Sequence, residues 1–325
     1  MWGDRMQYRH IYGLLLVLII WPFSLYAKSL NGFNLDNAQV PLHLIQKGGP
    51  PRDGIPALIT PDLIPASQAN YLQPDDPILG IEIQGQTKAY PIRILNWHEL
   101  VNDQIANIPF VISYCPLCGS GMAFESVPDT SQIPSIANKS LSFGVSGLLF
   151  NSDVLMYDRQ TGSLWSQIHG KSIAGKLAGT KLKQIPLTLT RWSDWAQRHP
   201  ESLVLSTNTG YRRNYSRDPY AGYGDNPVIY FPVANKAPKH YHPKEMVLGF
   251  KGQSSVIAFP FSELRKNDQA FFEHDIEGEL FTIHWDKQNQ SAWVTDEQGK
   301  VLPSTLLFWF AWYAFYPDTE VYKVR

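Results

Sequence analysis

The sequence predicts an α+β fold made of two unequal tandem copies of a hairpin–helix–strand unit, with a β-rich insertion in the first copy. Three observations lead there. Residue pairs recur in register: Leu79-Gly80 returns as Leu248-Gly249 and Tyr90-Pro91 as Phe259-Pro260, each 169 positions on. At the other end, Pro186, Trp192, Trp195, Pro200 and Val204 return as Pro303, Trp309, Trp312, Pro317 and Val321, all 117 positions on. Five matches at one offset mark an internal duplication. The third observation is the order of local signals, which is the same in both copies.

In the first copy, Ile78–Ile83 alternates around Gly80, "QGQ" makes a turn, and Thr87–Ile92 returns, which is a hairpin. "RILNWHELVND" carries apolar residues at helical spacing, with Asn102-Asp103 as a stop. "IPFVISY" is rich in β-formers and reads as a strand. The second copy runs "MVLGFKGQSSVIAFPFSELRKND…GELFTIHW" in the same order. The first copy holds about fifty residues more than the second, and the extra material begins after Cys115 and Cys118.

The chain divides accordingly. Residues 1–27 hold Arg5, Arg9 and His10 ahead of an apolar run from Ile11 to Phe23, with Ala27 as a small residue for cleavage, the pattern of a signal peptide. Leu25 departs from the small-x-small rule, and an uncleaved run would instead be a membrane anchor. Either way the body is expected to be exported, to the periplasm. Residues 28–74 are broken by Pro and Gly into an irregular leader. The first repeat lobe, with the candidate site, spans 75–206, a Tyr/Gly/Pro-rich linker 207–243, and the second lobe 244–323.

A formal charge of -1 over 325 residues leaves no basic footprint for phosphates, so nucleic acid is not an expected partner. Membrane contact is expected only if the N-terminal segment stays uncleaved. The sequence contains no Gly-rich phosphate loop, HExxH or GxSxG.

Chemistry is expected around "SYCPLCGSGMAFE". Cys115 and Cys118 are the only cysteines. A bridge between them would close a tiny loop and remove little unfolded-state entropy, so the pair is a poor staple. Four readings stay open. "CPLCG" resembles the turn that presents two thiolates to one ion, with His98 or another residue completing the set; thiolate with imidazole or thioether suits copper or zinc. A strand ending in Cys-Pro-x-Cys resembles a thiol–disulfide site, although "GSGMAFE" is a poor helix start. One thiol, activated by His98, could be a nucleophile in a Cys-dependent enzyme. The bland reading is a buried pair of small side chains. The insertion supplies further ligand-binding candidates in Asn151, Asp153, Met156, Asp158, Trp165, Gln167 and His169. The many Trp and Tyr side chains leave a metal-free module holding a small ligand, such as a sugar, as another alternative.

"AYPIRILNWHELVND", "SYCPLCGSGMAFE", "FGVSGLLFNSDVLMYDRQTGSLWSQ", "LAGTKL", "TGYRRNYSRDPY" and "FWFAWYAFYPDTEVY" together resemble the bacterial and archaeal family catalogued as domain of unknown function 3179, over roughly residues 50–323. The resemblance implies no activity. It implies that the family's motifs centre on His98, Cys115, Cys118, Asn151, Asp153, Asp158, Trp165 and Gln167. The expected function is an exported protein whose Cys-x-x-Cys site binds a soft metal ion.

Overall fold

The hairpin expected around Gly80 forms from Pro77–Ile83 and Gln86–Pro91 in the computed structural model, which describes residue 2 and residues 29–131, 133–267 and 269–324. Gln84 and Gly85, both at positive φ, make its two-residue turn. Its other partners come from far along the chain. Thr188–Arg191 pairs antiparallel on one side, Leu203–Leu205 parallel on the other, and Leu63–Pro65 adds an edge strand. This five-stranded sheet is blade 1.

Four more sheets follow. Blade 2 is the meander Leu100–Ile105, Ile108–Cys115 and Ser120–Glu125, closed by Gln184–Ile185 and Leu58–Ile59. Blade 3 is the meander Phe143–Phe150, Asp153–Asp158, Leu164–Ser166 and Lys171–Ala174, edged by Ile45–Lys47. Blade 4 joins Met246–Lys251 and Val256–Pro260 to Ser304–Phe308 and Glu320–Val321. Blade 5 is the meander Phe271–Ile276, Glu279–Asp286, Ser291–Thr295 and Val301–Leu302.

The architecture is therefore mainly β, a five-bladed β-propeller with only 12% helix, and the α+β class is overturned. Helices α1 (Ile92–His98), α2 (Trp192–Arg198), α3 (Phe261–Leu264) and α4 (Trp309–Phe315) are single short connections, too short to form a layer. The helical spacing after Pro91 is real but lasts two turns. Glu99, at φ 57, ends it, and the expected stop at Asn102-Asp103 lies inside a strand.

The in-register pairs fall at equivalent places in blades 1 and 4. Each blade is opened by a hairpin and completed by strands that arrive only after other blades have formed. The meanders of blades 2 and 3 are nested between the halves of blade 1, their edge strands Leu58–Ile59 and Ile45–Lys47 coming from the leader, and blade 5 is nested between the halves of blade 4. The extra residues of the first copy are blade 3, itself nested between Ser120–Glu125 and Gln184–Ile185 of blade 2.

The same joint closes blades 1 and 4. Gly80 lies so near Trp195 that a Cβ there would sit 2.2 Å from the indole, and at Gly249 a Cβ would sit 2.4 Å from Trp312. Trp195 Nε1 donates to Ser202 Oγ at 3.0 Å and Trp312 Nε1 to Thr319 Oγ1 at 2.8 Å. Glycine is required in each strand because only a bare backbone admits the ring. The largest core cluster runs from Phe33 through Trp165 to Phe315 and so draws on both copies.

The signal-peptide residues 1–27 lie outside the described residues, apart from Trp2. Among the described residues no helix is long and apolar enough to cross a membrane.

Candidate metal centre

Cys115 ends strand Ile108–Cys115 and Ser120, its cross-strand partner, begins the next. The chain reverses between them through Pro116-Leu117, the Cys118 N–H donating to Cys115 O at 3.1 Å and Gly119 taking φ +60. The Cys-x-x-Cys is thus a β-hairpin turn, and no helix follows it. Phe308 of blade 4 donates its N–H to Cys118 O at 2.8 Å, tying the turn to the neighbouring blade.

Blade 3 brings its own turn to the same place. Asn151 and Ser152 are both at positive φ (53 and 67), and Phe150 pairs with Asp153 across them, as a two-residue hairpin turn requires. Cys118 Sγ lies 3.4 Å and Cys115 Sγ 4.0 Å from Ser152 O. The ligand atoms of Cys115, Cys118 and Asp153 all lie within 4.8 Å of one another, and all three residues are buried. Both thiols are free. Asp153 Oδ2 accepts the Ile168 N–H at 3.1 Å, and the carboxylate also faces the Val154 N–H and the two thiols.

Electrostatics set this pocket apart. Burial pushes the Asp153 carboxyl up to about 7, against the Ile168 and Val154 N–H groups that favour its charge. Burial also raises both thiols, Cys118 well above the usual range, with Asp153 adding to each. Glu99, buried at the end of α1, is pushed up to about 8 by burial and then by Asp153. Two thiols and two carboxyls thus share one dry region. They stay neutral in pairs or lose protons together to a cation, because isolated buried anions are costly. Raised thiols with no helix N-terminus behind them are poor nucleophiles, which weighs against the thiol–disulfide and Cys-nucleophile readings.

The other expected site residues have definite places. His98 is not in the group. Its Nδ1 donates to Pro56 O at 2.7 Å, so Nε2 accepts from Tyr215 OH at 2.6 Å, and the phenol in turn accepts from Thr209 Oγ1 at 2.6 Å. Burial first lowers its affinity for a proton. It is a neutral, satisfied core histidine with no nitrogen left for a metal. Asn151 holds its turn: Oδ1 accepts the Ala234 N–H at 2.8 Å and Nδ2 donates to Ala314 O at 3.3 Å. Gln167 clips blade 3 to the cysteine hairpin, Nε2 donating to Ser113 Oγ and Ser120 O at 3.0 and 3.2 Å while Oε1 accepts from Ser120 Oγ at 2.7 Å. Asp158 and Trp165 work at the opposite end of the blade, where the indole N–H meets the carboxylate at 3.0 Å and Thr161 caps it. Met156 is buried core. His169 packs edge-on against Phe315 at 4.8 Å, and burial lowers it to about 4. Glu99 and the carbonyl of Ser152 were not among the expected site groups. The only sequence signal for Glu99 is that it follows His98 at a helix end.

The second copy supplies a contrast. Asp286 and Asn289 stand at the positions of Cys115 and Cys118, and Gln290 takes the positive φ of Gly119. There Asp286 accepts from the Asn289 N–H at 3.0 Å and from Asn289 Nδ2 at 2.7 Å, so that turn closes on itself.

No curated protein and no solved structure matches the chain. The profile of one family, described as a protein of unknown function (DUF3179), matches residues 52–319. With that span covering most of the molecule and its hairpins carrying the thiol–carboxylate group, the chain belongs to the DUF3179 family.

Proposed function

We propose that the protein binds one zinc ion through Cys115 Sγ, Cys118 Sγ and an Asp153 oxygen, in an exported compartment. The observation that carries this reading is geometric: the two buried thiols and the buried Asp153 carboxylate place their ligand atoms within 4.8 Å of one another. Acidic groups so close and so dry are costly to ionise alone, and a bound cation would offset that cost. The donor set favours zinc over copper. Two sulfurs and a carboxylate oxygen suit a borderline ion, whereas Cu(I) would use soft partners such as His98 or Met156, which are engaged elsewhere. Three protein ligands leave a fourth position for Ser152 O or water. Delivery outside the cytoplasm rests on the Arg5–Phe23 pattern of the sequence.

Elemental analysis tests the reading. Protein purified without chelator and dialysed against micromolar zinc should retain about one equivalent per chain. Cys115→Ser with Cys118→Ser should retain none, with the circular dichroism spectrum unchanged. Equal zinc in the double variant, or none in the wild type, overturns the site; preferential retention of copper overturns the choice of metal.

A further inference from the structure

Blade 5 carries a row of aromatic rings that its own packing does not use. Its register sets Phe271 opposite His284 and His284 opposite Trp293. Ile283, Trp285 and Val294, at the alternate positions, are buried, so the row lies on the blade's outward face. The His284 and Trp293 rings are parallel to within 2° at 4.8 Å, and Phe271 continues the row 6.1 Å from His284. His284 Nε2 is 3.0 Å from Thr295 Oγ1, which fixes the imidazole plane. Phe271 is 63% exposed. Single exposed apolar side chains are ordinary, but a contiguous row is not.

The row joins two cavities. One, of about 460 Å³, holds all three rings together with Asn267, Gln269, Asp286 and Lys287. The other, of about 440 Å³, lies toward blade 1 and sets Trp293 against Glu82, Gln84 and Arg198. Trp293 lines both. Each cavity therefore sets aromatic rings beside amide and charged groups able to bond hydroxyls. The named charges are Glu82 and Asp286 against Arg198 and Lys287, which leaves no net charge for an ionic ligand.

We propose that this groove binds a neutral oligosaccharide of several pyranose units. A pyranose is the ligand whose two surfaces match these walls. Its C–H face stacks on an aromatic ring, and its rim of hydroxyls meets carboxylate, amide and guanidinium groups. Two cavities sharing one indole call for a chain of sugars and not a single ring. Single-stranded nucleic acid also stacks on aromatic rows, but its phosphates would approach Glu82 and Asp286 on a chain of formal charge -1.

Titration of the full chain, followed by tryptophan fluorescence and calorimetry, tests this with cellohexaose, maltohexaose, chitohexaose and hexameric oligo(U). At least one neutral hexaose should bind with Kd below about 1 mM, and its disaccharide about tenfold more weakly. Phe271→Ala and Trp293→Ala should each weaken binding by about tenfold. Phe271 is exposed enough to be removed without disturbing the core. Cys115→Ser with Cys118→Ser should leave sugar binding unchanged, separating this site from the metal centre. Binding of none of the three hexaoses, binding indifferent to both aromatic substitutions, or tighter binding of oligo(U) overturns the proposal.

Discussion

At the scale of single residues, the candidate metal centre turns on acids kept from water. Glu99 and Asp153 have folded-state affinities for protons raised to about 8 and about 7, from ordinary values of 4.5 and 3.8. In the window between the ordinary and raised values the metal-free folded chain holds protons that the unfolded chain has released. The contribution of these two acids to the stability of the metal-free protein should therefore be present below pH 4 and be lost as pH rises toward 8, whereas the buried His98 and His169, whose proton affinity is lowered, contribute with the opposite sign. Zinc binding has the opposite sign, because ligands must lose protons, so the zinc-dependent gain in stability should grow over the same range. Urea midpoints at pH 5 and pH 8, with and without zinc, check this, and Glu99→Gln should flatten the metal-free trend. A metal-free wild type whose advantage over Glu99→Gln does not shrink between pH 5 and pH 8 would contradict it. The cysteine pair could be picked out from the chain because its chemistry is specific to residue type, whereas Asp153 was one of seven ligand-binding candidates and nothing in the sequence set it apart as the third member of the group. His98 could not be placed, since what decides its role is Tyr215, more than a hundred residues away and satisfying the very nitrogen a metal would need.

At the scale of elements, the hairpins were legible and their partners were not. Alternation and turn residues specify Pro77–Ile83 with Gln86–Pro91, and Met246–Lys251 with Val256–Pro260, because these pairings are local. The parallel strands Leu203–Leu205 and Glu320–Val321 are three and two residues long, and only tertiary contact makes them strands. The seven-residue helices α2 and α4 are short connections, α4 buried on nearly every side. Their tryptophans do the joining, each ring filling the space left by a glycine. Gly249→Ala would place a Cβ 2.4 Å from the Trp312 ring, and Gly80→Ala one 2.2 Å from Trp195. Each substitution should cost about 1–3 kcal/mol, typical of overpacking. The two should add in the double variant, because they act in different blades. Chemical denaturation measures both expectations.

At the scale of the whole molecule, nesting explains why the sequence suggested lobes. A repeat with a helix in its middle and an insertion after it reads as two compact halves when strands are assigned to their neighbours in sequence. In space, blade 1 is not complete until its last strands return from blades 2 and 3, and blade 4 waits in the same way for blade 5. The thiol turn and the Asn151-Ser152 turn meet through that arrangement, with α4 of the far copy and Ala234 of the linker holding the second turn. The duplication has also left the molecule with two versions of one bend. The bend at 286–290 is tied by its own Asp286 and Asn289, while the one at 115–119 keeps its side chains for something else. Hydrogen–deuterium exchange can use the pair as gauge and reference within a single chain. Removing zinc should speed exchange at 116–119 and leave 287–290 unmoved, so the ratio of the two reports occupancy directly, free of differences in buffer, temperature or protein concentration. A ratio unchanged by zinc would mean that the first bend, like the second, needs no ion to hold its shape.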